Sequence, residues 1–283
     1  MAKKRANLSD LLNDLTFRTH FDKFKMVCIN EHEWDGLPDG IQARHIERLL
    51  FSKGFACFFR DPQMSHMCLE CDTGGNVNVY GDPLGYRAHG YNYQRYLDAD
   101  QCVIIRNNLL ALPTEPFVMH YVNKITEAER TMDVNIKACK TPIVFTCDDK
   151  DVLTFKRIFQ QVDGNVPAIF ADRGLNLDSI TAFQTGVKFM GNEIMDYKRS
   201  VESDLLTFLG QDNTPVDKKE RLITDEAEAN NQLIASFADL QLQARQKACE
   251  EINAMFGLSV SVHRRVPVEN SVDNAEKEGK PDA

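Results

Sequence analysis

Two long stretches with helical periodicity, separated by a short insert, constrain this chain more than any other feature. From Thr114 onward Val118, Tyr121, Val122, Ile125, Ala128, Met132, Ile136 and Cys139 recur at steps of three or four, the spacing of one helix face. Thr114 suits an N-cap, Pro116 fits the first turn, and Pro142 stops the run. About 25 residues at 1.5 Å each give roughly 37 Å of helix. The second run places Met190, Ile194, Tyr197, Val201, Leu205 and Leu209 on one face, with Gly210 where a C′ glycine belongs. Between the two runs, residues 142–146 (PIVFT) read as a strand, Asp148–Val162 as a helix and 166–171 (VPAIFA) as a second strand. So small an insert cannot separate the long helices, which must be neighbours.

The flanks read differently. Leu8–Ile29 and Asp39–Phe51 have helical spacing, the first with a gap around His20. Short apolar runs follow at 54–59, 67–70, 76–80, 86–96 and 102–106, punctuated by Gly, Asp, Asn and Pro, as in a small antiparallel sheet or barrel. Leu233–Phe256 is a further long helix, stopped by Gly257, and 258–262 (LSVSV) alternates as a strand. Asp217–Asn231 is polar and charged with no Gly or Pro. A polar loop this long inside a compact domain is functional or disordered. Residues 1–7 read as a flexible basic arm, and the tail from Glu269 is too poor in apolar residues to order itself.

Composition narrows the chemistry. The net charge is −9 and the pI near 5.3, unlike the basic surface of a protein that clamps duplex DNA to read its sequence. No apolar run reaches the roughly 18 residues of a membrane span, and no apolar core near the N-terminus is long enough for a secretory signal. A cytoplasm-like compartment is the expectation, and there the eight cysteines read as small buried apolar residues. The chain has no glycine-rich phosphate loop, no G-x-S-x-G and no H-E-x-x-H. His66-x-Cys68-x-x-Cys71 has metal-like spacing, but a structural zinc needs four ligands and no second pair stands at a fitting distance. His45 on an amphipathic helix, and Tyr80, Tyr86, Tyr91, Tyr93 and Tyr96 in the β-rich part, read as packing and interface residues. Lys218, Lys219 and Arg221 form the one basic cluster of the second half, with acids around them. No catalytic residue, metal ligand or cofactor site is assigned.

The segments EWDGLP (33–38), FFRDP (58–62), KTPIVF (140–145), DGNVPAIFA (163–171), LLTFLG (205–210), KKERLITDE (218–226) and ACEEINAMFGLSV (248–260) resemble, in order, those of the portal protein of small short-tailed phages with terminal-protein-primed DNA. That protein is also called the upper collar or head–tail connector. The match covers the chain to about residue 265 and is densest from residue 140 onward. The resemblance implies an α+β portal fold with long stem helices, a small α/β clip insert and a β-rich, SH3-like wing, assembled as a dodecameric ring around a DNA channel. It implies a flexible arm at 1–7, a first wing part at 8–113, stem helices at 114–140 and 188–210, a clip at 141–187, a channel loop at 211–231, a second wing part at 232–265 and a disordered tail at 266–283. Lys198, Lys218, Lys219 and Arg221 fall at or beside the family's channel-lining basic positions, while Glu193 stands where another channel lysine is expected. Lys3, Lys4 and Arg5 match the arm that in some members meets a packaging RNA. The implied partners are double-stranded DNA without sequence preference, the major capsid and scaffolding proteins, a packaging ATPase and the lower collar and tail proteins, with no membrane. The implied location is the portal vertex of the virion, after assembly in the host cytoplasm. The competing readings are a cysteine- or zinc-dependent enzyme built on the β-rich region, and a helical adaptor with no DNA role.

Overall fold

The computed structural model describes residues 8–140, 143–146, 181–184, 188–211 and 224–265. It divides into two units, residues 1–126 with 200–283, and residues 127–199.

The first unit opens with α1 (Leu8–Ile29), continuous through His20, then β1 (His32–Asp35) and α2 (Ala43–Lys53). Helix α2 ends on Gly54, whose φ of +87° lets its N–H close on the carbonyls of Leu49 and Leu50. A Cβ there would lie 2.1 Å from the Ala111 carbonyl oxygen, so no other residue fits. The chain passes straight into β2 (Phe55–Asp61), β3 (Ser65–Thr73), β4 (Gly85–Gly90), β5 (Tyr93–Asp98) and β6 (Cys102–Arg106). These form one five-stranded sheet in the order β5-β4-β3-β2-β6. It is an antiparallel meander of four whose first strand takes β6 on its free edge, the pairing pattern of an SH3-like sheet; Cys57 faces Leu69 on one side and Ile104 on the other. Strand β2 is apolar without alternation because both its faces are covered. Ala56 and Phe58 enter one core, Cys57 and Phe59 the other.

The first core is closed by α2 and by α5 (Thr224–Phe256), through Ile46, Leu50, Ala248 and Ile252. After α5, β9 (Ser261–Arg264) pairs with β1, Trp34 opposite Val262. A third core is all helical. It joins Phe24 of α1 and Phe51 of α2 to Val118, Val122 and Ile125 of α3 (Glu115–Lys140), and to Val201, Leu205 and Leu209 of α4 (Gly191–Phe208) and the residue after it. These are the faces the periodicity selects. Helix α4 ends as expected on Gly210 (φ +71°), with Gly210 N–H to Thr207 O and Gln211 N–H to Leu206 O, a Schellman closure.

In the second unit Asn135 Nδ2 donates to Lys188 O at 2.8 Å and its Oδ1 accepts from Met190 N–H at 2.9 Å. Lys198 Nζ donates to Glu129 Oε2 at 2.7 Å. The early part of α4 thus lies beside the later part of α3. The insert contributes β7 (Ile143–Thr146), paired antiparallel with β8 (Thr181–Gln184). The helix expected at Asp148–Val162, the strand at 166–171, the arm and the tail lie outside the described residues.

The structure departs from the sequence reading at several elements: β1 and β8 have no counterpart in it, and α2 runs from Ala43 to Lys53 rather than from Asp39 to Phe51. Residues 76–80 are not a strand but part of a turn with a single bridge, Val77 to Pro83. The run 86–96 is two strands, because Asn92 takes a left-handed φ of 57° and turns the chain back. The polar segment read as a loop through Asn231 is helical from Thr224. The last strand is Ser261–Arg264, not 258–262, since pairing with β1 rather than alternation sets its limits.

One polar cluster locks the first unit. Arg245 of α5 is 2% exposed and makes a two-pronged bond to Glu47 of α2, itself 2% exposed. Its Nε donates to Oε1 at 2.9 Å and its Nη2 to Oε2 at 2.7 Å. Nη1 reaches the carbonyls of Asn107 and Gln241, and Nη2 the Asn107 side chain. Trp34 Nε1 completes the Glu47 shell at 2.9 Å. Asn107 Nδ2 donates to Leu112 O and to Thr114 Oγ1, so the hydroxyl expected to cap α3 is held by this cluster.

Breaking such a buried pair on one side leaves a bare charge and costs about 3–5 kcal/mol, whereas removing both charges is far milder. Arg245→Met is therefore expected to lower the urea midpoint strongly, and Arg245→Met with Glu47→Met to recover more than half of that loss. A double variant as weak as the sum of the two single ones would contradict this reading.

Candidate functional site

Lys198 is the one described member of the basic set at 198, 218, 219 and 221. Its side chain is 20% exposed and its ammonium is held by Glu129 at 2.7 Å, so its charge is balanced within its own unit. The next residue, Arg199, is well exposed and only loosely associated with Asp196, at 3.9 Å. Helix α4 carries Glu193, Asp196, Glu202 and Asp204 against Lys198 and Arg199, an acidic surface with a few cations. Lys3, Lys4, Arg5, Lys218, Lys219 and Arg221 lie outside the described residues.

The metal-like motif is divided by the pleat. Residues three apart on a strand point to opposite faces, and Cys68 enters the first core while Cys71 enters the core on the other side of the sheet. His66 stacks on Phe58 and meets Phe256 edge-on. Burial pushes the Cys68 thiol up to about 12, away from the thiolate a metal or nucleophile needs. Among the described residues no group of three or more His, Cys, Asp or Glu is placed to hold a metal ion. His45 borders a groove, and its partial burial together with Arg44 and Arg48 lowers its pKa. The tyrosines divide: Tyr86 is buried, Tyr93 Oη donates to Asp61 Oδ2 at 2.7 Å, and Tyr80, Tyr91 and Tyr96 are bare.

A second buried cluster, absent from the sequence reading, sits where α4 ends. Glu31 Oε1 lies 3.3 Å from Arg264 Nη2, and Arg264 also donates to the carbonyl of Gly210. Arg264 thereby holds the last turn of α4 to the β1–β9 ribbon. Burial pushes the Glu31 carboxyl up to about 7 despite the Arg264 charge. Burial, with Arg245 nearby, lowers His32 to about 3, so His32 is neutral. Burial alone would raise Glu47 as well, but the Arg245 charge and hydrogen bonds, with His32 and Trp34, hold it below the usual carboxylate range. Nothing in the sequence marks these residues, since Glu31 and His32 stand in a short polar stretch, residues 30–33.

No helix among the described residues is long and apolar enough to cross a membrane. Residues 3–269 match the model of one protein family, described as Phage Connector (GP10). Among solved structures the chain is similar to a chain in the virion of a native gene transfer agent particle, at 10% identity and a TM-score of 0.50 over 97% of this chain and 88% of the other. That likeness is one of fold. It is also similar to a chain in the portal and tail of native bacteriophage P68, with 14% identity, TM-score 0.44 and coverage of 95% and 94%. An HK97 family phage portal protein from Corynebacterium diphtheriae gives 9% identity, TM-score 0.47 and coverage of 94% and 96%.

The two shifted groups act in opposite directions with pH. Glu31 has a folded pKa above its unfolded value of 4.5, so its contribution is full below pH 4.5 and is lost as pH rises through about 7. His32 has a folded pKa below its unfolded 6.5, so its contribution is full above pH 6.5 and is lost as pH falls toward 3. Glu31→Gln removes only the first trend. Its stability relative to the native chain is expected to rise between pH 4.5 and pH 8, by up to about 3 kcal/mol. Urea midpoints at the two pH values, at one protein concentration, measure it; parallel pH profiles for both chains would refute it.

Proposed function

The chain belongs to the Phage Connector (GP10) family and is a head–tail connector, a portal protein; from that premise we propose that twelve copies close into a ring whose channel passes double-stranded DNA during packaging and ejection. The match of residues 3–269 to the connector family carries this reading. Helices α3 and α4, packed side by side in each unit, are the stem, and residues 141–187 are the clip. The five-stranded sheet with α1, α2 and most of α5 is the wing at the capsid. Residues 211–231 approach the DNA, joining a segment outside the described residues to the first turns of α5. Lys198, Lys218, Lys219 and Arg221 supply sparse cations to the channel, with Lys198 shared between Glu129 and passing phosphates. Lys3, Lys4 and Arg5 meet the packaging motor or a packaging RNA. Capsid and scaffolding proteins, the packaging ATPase and the lower collar and tail are the partners, at the portal vertex of a virion assembled in the host cytoplasm. The protein is structural, with no catalysis of its own.

The charge balance supports a conduit. Affinity for duplex DNA grows with each phosphate neutralised, and a channel that gripped its cargo would stall it. A net charge of −9 and the Glu129–Lys198 pair both reduce grip.

Native mass spectrometry should find a closed assembly of twelve 32.2 kDa chains, about 386 kDa; a stable monomer at micromolar concentration would refute the ring. In particles carrying Lys218→Ala, Lys219→Ala and Arg221→Ala together, the ring should keep its mass while fewer full-length genomes are retained. Normal retention would remove these three residues from the channel's work.

A further inference from the structure

The five-stranded sheet bears two unlike features at the opposite ends of β4. Before β4, the turn from Asn76 to Leu84 is pinned by Asn78. Its Oδ1 accepts from the N–H groups of Tyr80 at 2.8 Å and Asp82 at 2.9 Å. Its Nδ2 donates to Asp82 Oδ2 at 3.1 Å, and its own N–H to Asp82 O at 2.8 Å. This fixed turn holds Val79 and Tyr80 in solvent, 93% and 88% exposed. A turn ordered by so many bonds around bare apolar tips has prepaid the ordering cost of binding. After β4, at Gly90 and Tyr91, opens a groove of about 720 Å³. Ile41, Leu49, Met64 and Met67 give it apolar surface, and His45 and Arg48 give it basic character. Its acids are Asp39 and Glu70, the latter bound by Lys53 Nζ at 2.6 Å.

Strand β4 has 6 residues, roughly 20 Å of chain, so the fixed turn of one copy stands well away from its own groove. The charges are complementary. The turn end of the sheet carries exposed Asp82, Asp98 and Asp100, while the groove end carries Arg48 with Arg44 beside it, neither in an ion pair among the described residues. We propose that the Val79–Tyr80 tip of one copy seats in the His45–Arg48 groove of the next. The proposal rests on the ring reading above. Each copy then offers one surface and accepts the other, the head-to-tail relation that closes into a ring when the rotation per copy allows. A second copy of this chain is the favoured occupant because both halves of the contact, with opposite charge, are borne by one chain at opposed ends.

The test uses the full-length protein. Val79→Ser with Tyr80→Ser should lower the fraction of chain in rings about tenfold or more, with an unchanged far-ultraviolet circular dichroism spectrum, since both side chains are bare in the single copy. Val79→Cys combined with Met64→Cys should give, on mild oxidation, a reducible ladder of linked copies that neither single variant gives. Intact rings in the Val79→Ser/Tyr80→Ser variant, or no ladder from assembled rings, would overturn the contact while leaving the ring reading in place. Intact rings that fail only to join capsids would overturn it too, and assign the tip to another virion protein. A native chain that forms no ring would overturn both.

Discussion

The arrangement of the first unit depends on one buried charge pair, Arg245 with Glu47, brought together across 198 residues of chain. Burying both charges is costly, and only the completeness of the bonding offsets that cost. Arg245 spends its donors on Glu47, Asn107 and Gln241, and Glu47 takes a further bond from Trp34. An apolar helix could slide against α2 and the sheet at little cost. A helix carrying Arg245 cannot, because any shift strands a charge. We therefore read the pair as fixing where α5 lies. That position closes the first core through Ala248 and Ile252 and delivers β9 to β1. Through β9, Arg264 reaches the carbonyl of Gly210 and sets where α4 ends.

This order of dependence explains what sequence could and could not show. The long helices were legible because their burial is one-sided: Val118, Val122, Ile125, Val201, Leu205 and Leu209 recur at helical steps and are all buried. Strand β6 was legible at its full length for a different reason: its short apolar run is covered on both faces, Val103 and Ile105 in the first core and Cys102 and Ile104 in the other. The start of α5 was not, because Thr224–Asn230 has no apolar period, although Asp225 and Glu226 suit a first turn and Ala227, Glu228 and Ala229 favour helix. The run 76–80 looked like a strand because Val77 and Val79 alternate with asparagines and Tyr80 follows. Asn78 instead ties its side chain to its own turn, the local bonding that lets asparagine compete with a sheet. The 258–262 alternation placed a strand three residues early, since its limits follow a distant partner strand, with Trp34 opposite Val262. Nothing in the sequence singles out Glu47 or Arg245, for a charged residue on an amphipathic helix is usually solvated.

Of the candidate site, the family role was legible in the ordered segments, and residues 3–269 match that family. Lys198 was legible as a cation but not as the partner of Glu129, which lies on another helix. That pairing bears on the proposed channel. A lysine already balanced at 2.7 Å can exchange partners with a passing phosphate without presenting a net trap. A wall of such pairs among excess acids would leave DNA free to move in either direction, as packaging and ejection both require.

Imaging of the purified chain by electron microscopy tests the central claim most directly. The account predicts end-on views of closed rings with an open axial hole wide enough for duplex DNA, and side views in which helices α3 and α4 line it. Particles with no central opening, or a population of single chains, would contradict it.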